Sequence, residues 1–414
     1  MDDRPSPLSP ESWPFSLEWL PQTAHMVGGA VRDALLGRRA EYLDLDFVLQ
    51  SDAIKTARKI ATYYKAGFVV LDADRNIARV VFKQGTADFA QQEGASLETD
   101  LNRRDFTVNA IAYNPHNGEL IDPLQGYTDL RAGVIRMVSP KNLQDDPLRL
   151  LRGYRQAAQL GFVIDATTQA TIRQLSPLLG EVSAERVLAE LRYLLRTPKG
   201  TPWLIAACED GLLSNWFNLG DVSKLVAVDS VAGLLGETWP QLQVELLRSL
   251  RDTINTCLLG IAKLVILLPP TPEEAQNQMS RLTYSNAEIR AVTNAIAYLP
   301  KLQAVATSEM PLREQYFFFQ NVGAVFPAVA VLAVASGTLV DAIAPLINRY
   351  LDPEDLVAHP THLVNGTDLI KALNIPPSPQ VGQLLTAIAL ARIEGKISTA
   401  TEALEFAAQL VERQ

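Results

Sequence analysis

The chain has 414 residues, 48% of them hydrophobic, and a formal net charge of −9. A chain this long exceeds what one hydrophobic core organises, so two or more domains are expected, and the apolar content excludes wholesale disorder. The acidic total excludes a basic nucleic-acid coat and requires any polyanion to meet a locally basic surface. Two cysteines, Cys208 and Cys257, occur without a CxxC, which reads as buried thiols in a reducing compartment rather than a disulfide framework or a zinc module. The opening MDDRPSPLSPESWPF places acids and prolines where a signal peptide carries basic residues and an apolar run, so a cytoplasmic location is expected.

The first stretch with chemistry is MVGGAVRDALLG at 26–37. Gly28 and Gly29 read as a loop entering a helix. There, free backbone N–H groups and the helix dipole favour an anion, and glycine lets a phosphate approach closely. Arg32 adds a charge-assisted contact to the same anion. In LDLDFVL at 43–49, the side-chain period of a strand puts Asp44 and Asp46 on one face. Two carboxylates held that close repel unless a cation lies between them, which makes Mg²⁺ the expected third party. Two such ions suit the activation of an attacking hydroxyl and the stabilisation of a leaving pyrophosphate. A bare DxD is more often a pair of exposed polar positions; the phosphate-type loop just before it tips the balance toward metal.

DAIKTARKIATYY at 52–64 spaces its apolar residues as an amphipathic helix. Phe68–Leu71 and Ile77–Phe82, around a polar turn at 72–76, read as a hairpin, and TADFA at 86–90 as a further strand. Later, helix follows helix. DDPLR at 145–149 opens the first, with Asp146 as N-cap before Pro147 on the plainest reading, and with Arg149 spaced to share a face with the acids. TTQATIRQLSPLL at 167–179 and SAERVLAELRYLLR at 183–196 follow, the latter setting Arg186 and Glu190 four apart beside an apolar stripe of Val187, Leu188, Leu191, Leu194 and Leu195. Prolines at 269–272 and 376–379 mark boundaries or tight turns. Val322–Val340 is uncharged and nearly long enough to span a bilayer. Pro327, Ser336, Gly337 and the lack of flanking lysines or an aromatic belt make it a buried helix instead, so no membrane is expected.

Five motifs now stand in order: GGAVRDALLG with DLDFVL, LNRRDFTVNAIAYN at 101–114, DDPLRLLRGYRQAAQLGF at 145–162 and ERVLAE at 185–190. Together they resemble the bacterial and eukaryotic-type tRNA nucleotidyltransferases, a family whose pattern bacterial poly(A) polymerases share. The resemblance implies an α+β fold: a polymerase-β-like head with a small mixed sheet at 1–140, then all-helical parts, a neck at 141–200 that recognises the base, a body at 201–300 and a tRNA-binding tail at 301–414. It makes Asp44 and Asp46 the catalytic, metal-binding carboxylates. It assigns the nucleotide to Gly28, Gly29, Arg32, Asp33, Arg103, Arg104, Asp105, Asn109, Asp146, Arg149 and Arg152. Asp145, Glu185, Arg186 and Glu190 become supporting residues, and Asp88 a candidate third acid.

In the family, the acid and the guanidinium of EDxxR pair with the incoming base; here Asp145 replaces the usual Glu, and Asp146 and Arg149 match the pair. A carboxylate accepts and a guanidinium donates. Cytosine offers an amino group beside N3 and adenine one beside N1, so both satisfy the pair, while uracil and guanine present the opposite order and leave polar groups unpaired. Family members that add the terminal A carry a longer, often tyrosine-containing segment before the RRD motif. Here QQEGASLETDLN at 91–102 is short and has no aromatic residue, so the expected activity is addition of two cytidines to the tRNA 3′ end from CTP, with a separate enzyme adding A. The alternatives are complete CCA addition from CTP and ATP, a poly(A) polymerase, or an RNA-binding relative without catalysis. VNGTDLIKALNIPPSPQVGQLLTAIALARIEGKI at 364–397 resembles the family's C-terminal segment, with Lys371, Arg392 and Lys396 as candidate phosphate contacts. His359 and His362 read as loop residues rather than metal ligands.

Overall fold

The computed structural model describes residues 6–39, 42–217, 220–251, 254–305 and 308–412. The chain divides into two compact units, Met1–Leu194 with Ala206–Asn215, and Leu195–Ile205 with Trp216–Gln414.

The first unit begins with β1 (His25–Val27), α1 (Gly29–Leu35), β2 (Leu43–Leu49), α2 (Ala53–Tyr64), β3 (Gly67–Asp72), β4 (Ile77–Val81), β5 (Gly85–Gln91), α3 (Leu97–Asn102), β6 (Ala112–Tyr113) and β7 (Leu120–Ile121). The strands form one mixed sheet in the order β3-β4-β5-β2-β1-β6-β7. β2 and β5 pair in parallel, and the other neighbours are antiparallel. Alternation along β2 decides what each face does. Leu45, Phe47 and Leu49 enter a core with Ala53, Ala57 and Ile60 of α2 and with Trp13 and Phe15 from the N-terminal segment. Phe47 stacks on Phe89 of β5 at 5.5 Å. The other face of β2 carries Asp44, Asp46 and Val48, and Val48 joins a smaller cluster with Val27, Leu101, Ala110 and Ala112. The sheet is therefore sealed on one side and open beside the acids on the other.

The chain continues through α4 (Gly126–Ala132), β8 (Val134–Ile135), α5 (Pro140–Asp145), α6 (Leu148–Leu160), β9 (Val163–Ile164), α7 (Ala166–Leu175) and α8 (Ala184–Arg196). The predicted stripe on α8 is buried: Val187, Leu188, Leu191 and Leu194 are all in the core. α6 buries Leu150, Leu151, Tyr154 and Ala157, and closes on Gly161 at φ +74°, a left-handed conformation that suits glycine.

The second unit is mostly helical, from Lys224–Thr238 to Ala400–Glu412. Phe326–Ala335, within the stretch checked for membrane character, has every residue from Phe326 to Ala333 buried. Among the described residues, Leu312–Ala335 is one helical run long and apolar enough to cross a membrane, and 67% of its apolar window lies inside the protein. Asn365 and Asp368 of the VNGTDL motif form a capping box that starts the helix Gly366–Leu373.

The hairpin, the third strand and the helix at 52–64 fall within a residue or two of their predicted limits. The helical remainder is interrupted in two places. β8 pairs with β9 in parallel, and Ser249–Arg251 pairs with Ile254–Cys257. Strands of two to four residues are set by their partner, not by a local period.

Candidate active site

Asp44 and Asp46 share a face of β2, as the period requires, and parallel pairing with β5 sets Thr86 opposite Asp44 and Asp88 opposite Asp46. Thr86 donates its hydroxyl to Asp44 Oδ1. Burial, then the charges of Asp44 and Asp88, push the Asp46 carboxyl up to about 7, against the pull of Arg104 and Arg79. The loop before α1 is built against this acid. Gly28 has φ 72° and ψ −140°, a conformation closed to other residues, and a Cβ there would stand 3.2 Å from Asp46 Oδ2.

Arg32 is buried and held in three places: Nε and Nη2 donate to Asp33 at 3.0 Å each, and Nη1 donates to Asn109 Oδ1 at 2.7 Å. Asn109 in turn donates to Asp105 Oδ1 at 2.9 Å and to Gln156 Oε1 of α6 at 3.0 Å. Burial pushes the Asp105 carboxyl up, but Arg152, Asn109, the Phe106 amide and Arg149 together hold it below its usual range. One polar chain thus runs from α1 through the RRD motif into α6.

The two arginines of RRD share an anchor that the sequence did not disclose. Asp100 is fully buried and pairs with Arg103 at 3.0 Å and with Arg104 at 3.2 Å, and it accepts from the Glu93 backbone N–H at 3.1 Å. Glu93 also pairs with Arg103 at 2.9 Å. The short connection from β5 to α3 is therefore stitched to the motif that follows it. Arg104 Nε is buried without a hydrogen-bond partner, which leaves a donor for a ligand. Replacing Asp100 with alanine leaves two guanidinium groups without their buried acid, so urea denaturation is expected to show a loss of about 3 kcal/mol. KM for the nucleotide is expected to rise as well; an unchanged midpoint would remove Asp100 from this role.

Asp146 does not cap a helix. The residue before a proline is driven into extended conformation, and Asp146 has φ −140° and ψ 91°, ending α5 and leaving Pro147 to start α6 without a side-chain cap. Its carboxylate accepts from Arg186 of α8 at 3.0 and 3.1 Å and lies 3.9 Å from Arg149 Nε. Arg149 is fixed separately, donating to the backbone oxygens of Arg103 at 2.8 Å and Asn142 at 3.0 Å. Glu190 accepts from Arg152 at 3.3 Å and also from Arg155. Arg186 and Glu190 thus each bond a residue of the DDPLR–α6 segment, whereas Asp145 and Glu185 are exposed.

These elements enclose a cavity of about 700 Å³ lined by Gly28, Gly29, Arg32, Asp33, Asp44, Asp46, Arg103, Arg104, Asp105, Asn109, Arg149 and Arg152. Asp88, Asp145, Asp146, Glu185, Arg186 and Glu190 lie outside its lining. The lining residues that the sequence reading did not assign include Arg38, Arg39, Arg155 and Gln156. In all, eight arginines face four aspartates. This is the locally basic surface that an acidic chain needs for a polyanion.

A model described as the "Poly A polymerase head domain" matches residues 24–136, and one for tRNA nucleotidyltransferase domain 2 matches 253–408. The chain is 49% identical over 96% of its length to a CC-adding tRNA nucleotidyltransferase from Synechocystis sp., of which 96% is covered. It belongs to the tRNA nucleotidyltransferase family. A CC-adding tRNA nucleotidyltransferase from Geobacter sulfurreducens is 30% identical, with 93% of this chain and 91% of that one covered. The solved complex of a CCA-adding enzyme with CTP shares the fold, with a TM-score of 0.74 at 24% identity over 94% of this chain and 91% of that one.

Elsewhere, Cys208 and Cys257 are buried thiols. His359 sits in a loop with Nε2 2.7 Å from the Tyr350 backbone oxygen. Among the described residues no group of three or more His, Cys, Asp or Glu side chains is arranged to hold a metal. Arg392 donates to Thr361 and Lys396 pairs with Glu394, so both candidate phosphate contacts have local partners.

Proposed function

We propose that this chain adds two cytidines to the 3′ end of tRNA from CTP, without a template and with release of pyrophosphate, and that a separate enzyme adds the terminal A. The observation that carries the CC-only reading is the β5–α3 connection. Only Gln92–Ser96 separate the two elements, and Glu93 is bonded to the RRD cluster. A segment this short and this tied has no slack with which to remodel the pocket for a second base. The two CC-adding relatives support the same reading.

Asp44 and Asp46 fit a divalent cation. They share a face, and the raised Asp46 carboxyl marks negative charge that the fold leaves under-compensated. We propose two Mg²⁺ ions, which when bound activate the attacking hydroxyl and neutralise the leaving pyrophosphate. Gly28, Gly29, Arg32 and Arg104 take the triphosphate, with Asp33 and Asn109 fixing Arg32. Arg103 and Asp105 lie against the sugar and phosphates, Asp146 and Arg149 read the base, and Arg152 joins the two groups. The head at 1–140 performs the transfer, the neck at 141–200 selects, and the helical parts at 201–300 and 301–414 hold the tRNA. The burial that pushes the Cys208 thiol up to about 12 keeps it unreactive, and we place the reaction in the cytoplasm.

The deciding experiment uses a tRNA lacking its 3′ CCA. Extension by two nucleotides is expected with CTP alone and, unchanged, with CTP and ATP together. A full CCA product would replace the CC-only reading with the complete one, and long tails from ATP alone would indicate a poly(A) polymerase.

A further inference from the structure

The strand register sets a third acid beside Asp46, but that acid is already occupied. Asp88 stands opposite Asp46 across β2 and β5, and opposite Arg79 across β5 and β4. Its two oxygens accept from Arg79 Nε at 2.7 Å and Nη2 at 2.8 Å. This fork-to-fork geometry neutralises a carboxylate most fully and fixes its orientation. Asp44 and Asp46, by contrast, make no ion pair within 4 Å among the described residues. Asp88 also stays out of the cavity lining, which both of the other acids reach.

We propose that Arg79 is an internal counter-cation that withholds Asp88 from the metal site. Asp44 and Asp46 alone supply its carboxylates, and the Arg79–Asp88 pair is a positioning element that sets the charge they present. The inference rests on the metal-dependent reading above. It follows from counting charges on the open face. With Arg104, which every variant below retains, set aside, three aspartates and Arg79 leave two negative charges, the same as Asp44 and Asp46 alone. Losing Arg79 leaves three and releases Asp88 next to Asp46; losing Asp88 leaves one and sets a guanidinium free beside the ligands.

The test is the affinity for Mn²⁺ alone, measured by electron paramagnetic resonance on the full chain without nucleotide. Arg79→Gln is expected to bind about tenfold more tightly and Asp88→Asn about tenfold more weakly, as one unit charge a few ångströms from a divalent ion implies. Arg79→Gln combined with Asp88→Asn restores affinity to within about twofold of the parent, and Arg79→Lys, which keeps the charge, stays near the parent. Circular dichroism of the double variant confirms that it folds. If the double variant binds as weakly as Asp88→Asn, Asp88 is a ligand and the inference is wrong. It is equally wrong if Arg79→Gln weakens binding. Failure of the underlying reading looks different: Mn²⁺ affinity then survives the loss of Asp44 and Asp46.

Discussion

Replacing both Asp44 and Asp46 with asparagine is expected to lower cytidine incorporation at least about a thousandfold, since metal stabilisation of the transferring phosphoryl group is worth several kcal/mol. Affinity for tRNA, measured by gel shift, is expected to change less than about twofold, because the two acids line the cavity proposed to take the nucleotide. Undiminished incorporation would mean that other acids hold the metal. The same substitution has an opposite effect on stability. The Asp46 carboxyl titrates near 7 in the folded chain against an ordinary 3.8. The folded state therefore holds a proton that the unfolded chain has released between those values. The stability this gives is complete below about pH 4 and lost as pH rises through about 7. Above that, the ionised acid weighs on the fold. Asp46→Asn alone is thus expected to raise the stability of the metal-free chain at about pH 8 by about 2 kcal/mol, half of the roughly 4 that the full shift implies, because the carboxylate reaches the cavity. At about pH 4 the two chains are expected to unfold at the same urea concentration. The acid is retained at the expense of the fold, as functional sites often require.

Removing the pair proposed to read the base is the second large effect. With Asp146 and Arg149 both replaced by alanine, kcat/KM for CTP is expected to fall about a hundredfold or more. The preference for CTP over UTP is expected to collapse from about 10⁴ to within about tenfold, because discrimination of that size comes from polar groups left unpaired by the wrong base. Single-nucleotide incorporation with each of the four nucleoside triphosphates measures both quantities. A CTP-to-UTP ratio that survives the double replacement would assign selection to other residues. The structure adds one condition. Asp146 is held by two bonds from Arg186 and Arg149 by two backbone oxygens, so each proposed partner of the base is oriented before a nucleotide arrives.

What the sequence disclosed and what it hid separate along physical lines. Asp44 and Asp46 were readable because a two-residue period is a local property, and so was the stripe on α8. The hairpin was readable because β-branched runs bracket a polar turn. Asp100 was not: three residues before Arg103 on a short helix it looks like an ordinary first-turn acid, and only the fold shows it buried beneath two guanidinium groups. Arg79 was hidden for the complementary reason. Within IARVVF it is an outward-facing polar position, and its meaning depends on two register relations across three strands. Asp146 shows a local rule outweighed by another, since its aptitude for capping lost to the restraint that the next proline imposes. The three-residue β1 carried no pattern of its own, yet it is the strand from which the phosphate loop leaves. Roles for the RRD and DDxxR residues came from resemblance, not from their spacing.

α6 is fastened to the head at three levels: near its start by the Arg149 contacts, along its middle by Arg152 and Gln156, and at its end by Arg38, which donates to the backbone oxygens of Gln159 and Leu160. A rod pinned at both ends and the centre serves as a ruler. With Arg149 as the proposed base contact, it would hold the hydrogen-bonding edge of the base at one depth from the phosphates, and a purine and a pyrimidine cannot both meet that depth with the sugar in the same place. An enzyme that accepts both bases in one pocket has to move the ruler between additions. In this chain the start and end of α6 are held through backbone oxygens and its middle by the buried Asn109–Gln156 bond and the Arg152–Asp105 pair. On that proposal, restricting the product to pyrimidines is not a defect of recognition but the mechanical result of a gauge pinned in place.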